Sequence, residues 1–206
     1  MTLTQRTRWQ IFPDRKDACE HLAHEIAELI RLRATERRAV VLGLATGSTP
    51  LPFYNALIRL HREGLSFSNV VTFNLDEYLG IGPHDPRGYH SFMWTHLIAH
   101  LDMLPENFHI PDGEVRRADI ETHCKAYEER ISDAGGNDFQ ILGIGRTGHI
   151  GFNEPGSSSD SRTRLVHLDP LTRNDAAPAF GGIEHVPMEA ITMGCGTILE
   201  ARKIAL

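Results

Sequence analysis

The sequence predicts an α/β fold: an open, mostly parallel sheet with helices on both faces, in a single domain over residues 1–206. Three observations carry that prediction. Short, strand-like runs recur at 39–45, 69–75 and 138–144, the first of them continuously apolar, the pattern of a parallel strand covered on both sides. Longer segments of helical periodicity alternate with them, giving strand, helix, strand, helix in chain order. The chain has 206 residues, 41% hydrophobic and 23% charged, which is enough for one sizeable core.

Each element has its own justification. Over residues 15–38, Ala18, Leu22, Ile26, Leu29 and Ile30 recur at helical spacing on a polar background, an amphipathic helix. AVVLGLA, 39–45, is a buried strand. Residues 50–63 read as a helix, with Gly64 as its stop signal. NVVTFNL, 69–75, is a second strand. Residues 89–101 and 117–133 read as helices, the latter ended by Gly135 and Gly136. A strand follows at 138–144 and another at 163–168, and from 190 to 206 helix and strand signals mix. There is no internal repeat and no low-complexity linker.

Composition excludes several functions. A formal net charge of -6 argues against nucleic acid or an anionic membrane surface as the main partner. No apolar run approaches a membrane span, and the first residues carry no apolar signal core. Cys19, Cys124 and Cys195 are widely spaced and odd in number, which fits free thiols and a reducing compartment. A soluble cytoplasmic protein is expected. His96 and His100 stand four apart on a predicted helix, but without a third ligand nearby, so no metal is expected.

Three motifs fall at strand ends, where open α/β sheets bind ligands. The most informative is GIGRTGHIGFNEPGS, 143–157. Glycines 143, 145 and 148 let the backbone turn sharply and approach a ligand. His149 and Glu154 in the same loop form a candidate proton-transfer pair. In ATGSTP, 45–50, Thr46, Gly47, Ser48 and Thr49 precede a helix and offer N–H groups, hydroxyls and a helix dipole to one anion. A plain helix cap is the alternative there, and without a Gly-Lys-[Ser/Thr] ending the motif is no nucleotide loop. In FNLDEYLG, 73–80, Asp76 and Glu77 point to different sides of the chain, one able to face a ligand and the other to make structural contacts. An acidic turn is the alternative. Arg162 and Arg164 follow a serine-rich run starting at Ser157, which suits phosphate or simply the polar start of a strand.

Four collinear blocks now carry a resemblance: LGLATGSTPLPFYNAL, SFSNVVTFNLDEYLGIGPHDPRGYHSFM, ILGIGRTGHIGFNEPGSSSDSRTR and VPMEAITMGCGTILEARKIAL. Together they resemble the glucosamine-6-phosphate deaminase (isomerase) family over nearly the whole chain. The resemblance implies a Rossmann-like fold and conversion of glucosamine 6-phosphate to fructose 6-phosphate and ammonia, in amino-sugar catabolism and without a cofactor. It implies Asp76 as the base that moves a proton between C2 and C1. His149 would assist ring opening, with Glu154 orienting it. Thr46, Gly47, Ser48, Thr49 and Ser157 would bind phosphate, with Glu77 and Arg164 also at the substrate. The implied partner is a small-molecule sugar phosphate. Family members range from monomers to hexamers, so a homo-oligomer falls within the expectation.

The chain departs from the family pattern in four places. Thr147 stands where members carry an aspartate beside the loop histidine; a hydroxyl can hydrogen-bond the ring but supplies no charge, which leaves that to Glu154. A phosphate-binding arginine aligns near Pro178, with Arg173 as its candidate replacement. Val166 occupies a position where regulated members tend to have lysine, which argues against effector control. The chain also stops within RKIAL, an apparent core strand, where the family continues, so it reads as truncated at the C-terminus. Two alternatives stay open at this point: a 6-phosphogluconolactonase-like hydrolase, and a non-catalytic sugar-phosphate-binding protein.

Overall fold

The structure, a computed structural model, describes residues 9–206. It opens with helix α1 (Arg15–Thr35), whose first turn is capped by Asp14 accepting from the Asp17 N–H at 2.9 Å. Strand β1 (Val40–Leu44) follows, then α2 (Leu51–Arg62) and β2 (Val70–Asn74). These match the periodicity within a few residues. Every residue of β1 is buried, because Val40, Leu42 and Leu44 face a core built on α1 and α2 while Val41 faces the opposite one. Burial on both sides is why the run is continuously apolar.

After β2 the chain makes a second, short strand, β3 (Asp76–Tyr78), then α3 (Tyr89–His96) and β4 (Phe108–His109). Helix α3 is shorter than the predicted 89–101. It stops at Leu97 (φ -145°, ψ -63°), and a 3-10 turn follows over Ile98–His100. That break removes the one-turn spacing of His96 and His100. Next come α4 (Ile120–Asp133) and β5 (Phe139–Ile141), from which the chain passes into the glycine loop. The remaining elements are β6 (Arg164–His167), α5 (Pro170–Phe180), β7 (Glu189–Thr192), α6 (Cys195–Leu199) and β8 (Ile204–Ala205).

The main sheet has the order β4-β2-β1-β5-β8, with every pairing parallel. Helices α1 and α2 pack on one face, and Tyr127 and Ile131 of α4 on the other, as the sequence predicts. Chain order leaves β1 in one direction to reach β2 and in the other to reach β5. The loops after β1 and β5 therefore flank a change in strand order, the place where such sheets hold ligands.

A second sheet was not foreseen. Strands β3, β7 and β6 pair antiparallel, with Asp76 opposite Thr192 and Thr192 opposite Arg164. The region 163–168 is thus a strand, but not one of the parallel sheet. Among the described residues, no helix is long and apolar enough to cross a membrane, and no cluster of His, Cys, Asp or Glu is placed to hold a metal.

Candidate active site

Leu44 and Asn74 are register partners at the carboxyl ends of β1 and β2, so the two loops that follow start side by side. The first is Thr46 to Thr49. Gly47 there has φ +100°, a left-handed conformation that favours glycine. The plain-cap alternative is not what forms. Helix α2 has Pro50 at its N-cap position with no side-chain cap, and Gly47, Ser48 and Thr49 are exposed. Among the described residues, no partner engages the Thr46, Ser48 or Thr49 hydroxyls. The loop thus presents unused donors next to an uncapped helix start.

Asp76 and Glu77 lie in β3, both buried, and alternate across it. Glu77 Oε1 accepts the N–H of Tyr78 at 2.9 Å and of Tyr89 at 3.0 Å, while Oε2 accepts that of His90 at 2.8 Å. It therefore caps α3, whose own N-cap residue, Gly88, has no side chain to do so. Burial pushes Glu77 up to about 7, opposed by those three N–H groups. Glu77, expected at the substrate, has its carboxylate engaged by these backbone groups.

The Asp76 carboxylate receives no hydrogen bond from the described residues. Burial first, and the neighbouring Glu77 charge second, push it up to about 8. Its Oδ2 faces the glycine loop: a Cβ on Gly151 would sit 3.3 Å from it and 3.0 Å from Thr192 Oγ1. The loop is held against this point by hydrogen bonds. Phe152 donates its N–H to Thr192 Oγ1 at 3.0 Å, and Asn153 Nδ2 donates to the carbonyls of Ile150 and Met193 at 3.0 and 2.8 Å. Asn153 Oδ1 in turn accepts from Arg164 at 2.8 Å.

The same loop assembles the predicted trio. His149 Nδ1 lies 2.8 Å from Thr147 Oγ1 and 3.0 Å from Glu154 Oε1, and Thr147 donates to Glu154 Oε2 at 2.5 Å. The ring folds over Gly145, where a Cβ would come within 2.0 Å of Nε2; the close approach requires glycine. Nε2 itself has no partner among the described residues. It is the nitrogen left for a ligand.

Two arginines differ from each other. Arg164 on β6 donates to Ser157 Oγ at 3.2 Å as well as to Asn153, and no carboxylate among the described residues neutralises it. Arg173 on α5 instead donates to the carbonyls of Ile183 and Val186 at 2.8 and 3.0 Å, pinning the turn after its helix. The guanidinium expected as a replacement phosphate ligand is thus bonded to the turn that follows its own helix.

Sequence reasoning missed Thr172. This buried residue of α5 donates to Glu154 Oε1 at 2.6 Å and lies 3.5 Å from His149 Nδ1. The signal was present in Asp169-Pro170, an N-cap followed by proline at the first helical position, with Gly181 as left-handed C-cap. Pro178 inside the helix obscured it.

Comparison with known proteins places this geometry. Residues 13–206 match the family described as glucosamine-6-phosphate isomerases/6-phosphogluconolactonase. The glucosamine-6-phosphate deaminase of Hahella chejuensis is 51% identical over 191 residues, 92% of this chain and 72% of that one. That of Thermoanaerobacter sp. (strain X514) is 48% identical over 188 residues, 91% and 74% respectively. A solved monomeric glucosamine-6-phosphate deaminase superposes with a TM-score of 0.87 at 44% identity, covering 93% of this chain and 77% of its own. The 6-phosphogluconolactonase from Trypanosoma cruzi shares the fold, with a TM-score of 0.73 at 19% identity over 94% and 76%. With its match running through the sheet, the Asp76 strand and the His149 loop, this chain belongs to the glucosamine-6-phosphate isomerase/6-phosphogluconolactonase family.

Proposed function

We propose that this protein is an enzyme that converts glucosamine 6-phosphate and water to fructose 6-phosphate and ammonia, in the cytoplasmic breakdown of amino sugars. The observation that carries the reading is the buried Asp76 carboxylate, unpartnered among the described residues and facing the loop that holds His149 and Glu154. Curated relatives near 50% identity are named for this activity.

The chemistry asks for a ring-opening group, a base for the proton alpha to the carbonyl, and an anchor for the phosphate. His149 Nε2, without a partner among the described residues, assists transfer of the C1 hydroxyl proton to the ring oxygen, and Glu154 holds the ring of the histidine and stabilises its charged form. Asp76 takes the C2 proton and returns it to C1. Burial gives it the basicity such a step needs near neutral pH. Water then replaces the amine at C2. No electrons are gained or lost overall, so the reaction needs no redox cofactor. The hydroxyls and N–H groups of Thr46, Gly47, Ser48 and Thr49 hold the phosphate, with Arg164 and Ser157 supplying charge and a further hydroxyl.

The test is ammonia release coupled to fructose 6-phosphate formation, on purified protein beside an Asp76→Asn variant. Turnover that disappears in the variant supports both the activity and the base. A folded protein that binds the sugar phosphate without turnover would overturn the reading in favour of a sensor.

A further inference from the structure

We infer that Thr172 is a positioning residue for the His149–Glu154 pair, and that with Thr147 it forms a two-hydroxyl clamp on the Glu154 carboxylate. The inference rests on the proposed deaminase reading for its catalytic consequence, but the clamp itself stands on the geometry. Thr147 Oγ1 donates to Oε2 at 2.5 Å and Thr172 Oγ1 donates to Oε1 at 2.6 Å, so each carboxylate oxygen is held by a separate hydroxyl. The two hydroxyls come from different parts of the chain. Thr147 sits in the loop itself, while Thr172 comes from the first turn of α5, 18 residues beyond Glu154.

Counting protons assigns the state of the ring. An ionised carboxylate only accepts, and each hydroxyl has one proton, already given to Glu154. The contacts of His149 Nδ1 with Thr147 Oγ1 at 2.8 Å and with Glu154 Oε1 at 3.0 Å then both require the hydrogen to be on Nδ1. In the neutral ring this leaves the lone pair on Nε2, the form that can accept a proton from a sugar hydroxyl. Thr172 matters because His149 and Thr172 share Oε1. Without the Thr172 hydroxyl, Oε1 keeps only its contact with the histidine among the described residues, and the carboxylate loses its anchor on α5. Anchoring by α5 thus couples the start of that helix to the orientation of the histidine.

The experiment compares wild type with Thr172→Val, which keeps the shape and loses the hydroxyl, and with Thr172→Ser, which keeps the hydroxyl. Steady-state kinetics and 15N imidazole NMR of His149 are read on each, with circular dichroism and melting to establish folding. The expected result is a kcat about 10-fold lower in Thr172→Val with KM changed less than about 2-fold. Its Nδ1–H signature should be weakened or mixed with the Nε2–H form, and Thr172→Ser should restore both. Wild-type kcat together with an unchanged imidazole signature in Thr172→Val overturns the inference, as does a serine variant no better than valine. Should the valine variant fail to fold, Thr172→Ala decides on the same readouts. Should the wild type show no deaminase turnover, the functional reading fails by itself, and the imidazole spectrum of the variants still decides the clamp.

Discussion

Asp76 and Glu77 are sequence neighbours whose carboxylates meet opposite surroundings: Glu77 receives three backbone N–H groups, and Asp76 receives none from the described residues. The alternation of a β-strand separates them, sending one toward the start of α3 and the other toward the glycine loop. A pair of adjacent acids thus divides into one engaged by backbone and one without a hydrogen bond from the described residues.

Asp76 should make the fold less stable as pH rises. Its carboxyl is held up to about 8 in the folded protein, against an ordinary value near 4, so the folded state binds that proton more tightly than the unfolded chain. Stability from this group is full below about pH 4, declines between about 4 and 8, and is lost above. Asp76→Asn removes the titration. It should be more stable than wild type by a few kcal/mol at pH 9, on the order expected for such a shift, and close to wild type at pH 4. Denaturant midpoints at three pH values check this, and a pH-independent difference would sink it. In the wild type the same group must lose its proton to act as base, so kcat/KM should rise with pH through about 8.

Glu77→Gln should act through α3. An amide has one acceptor oxygen, so it can keep either the Tyr78 and Tyr89 contacts or the His90 contact, and its NH2 then opposes a backbone donor. The cost should be about 1–3 kcal/mol in chemical denaturation. Loss of the neighbouring charge should also ease ionisation of Asp76, moving the alkaline rise in kcat/KM to lower pH. Unchanged stability would show that the cap is dispensable.

Gly145→Ala is a sharp probe of ring placement. The position has no positive φ, so alanine fits the backbone, yet its Cβ would lie 2.0 Å from His149 Nε2. The ring must shift, and a displacement of about 1 Å at a reacting group costs on the order of 100-fold in rate. A near-wild-type melting temperature with kcat about 100-fold lower is the expected pattern. Full activity would mean that the ring is not used where it lies.

The sequence carried the start of the parallel sheet because β1 is buried on both faces, and an unbroken apolar run records that directly. It carried the His149 loop because glycine, histidine and glutamate fall within a few residues of each other. What it could not carry were relations between distant positions. Two of the three backbone donors that engage Glu77 lie 12 and 13 residues along the chain, and β3 is recognisable as a strand only through its pairing with β7. Arg173 looked like a free cation because nothing local shows that the turn after α5 folds back onto it. Thr172 was hidden for the same reason, on a helix whose internal proline disguised the periodicity.

The loop between β1 and α2 should separate binding from chemistry. Its hydroxyls have no partner among the described residues, the first turn of α2 has no side-chain cap, and Gly47 takes φ +100° to make the turn. A phosphate there would gain hydrogen bonds that no protein group now makes. Ser48→Ala removes one donor to an anion, a contact that is the same in ground and transition states because the phosphate does not react. KM should therefore rise about 10-fold with kcat little changed, and inorganic phosphate should weaken as a competitive inhibitor by the same factor. Matched changes in both constants would place the phosphate at this loop. A rise in KM with unchanged inhibition by phosphate would assign Ser48 to another part of the sugar, and a fall in kcat alone would mean that the loop acts on the reaction itself.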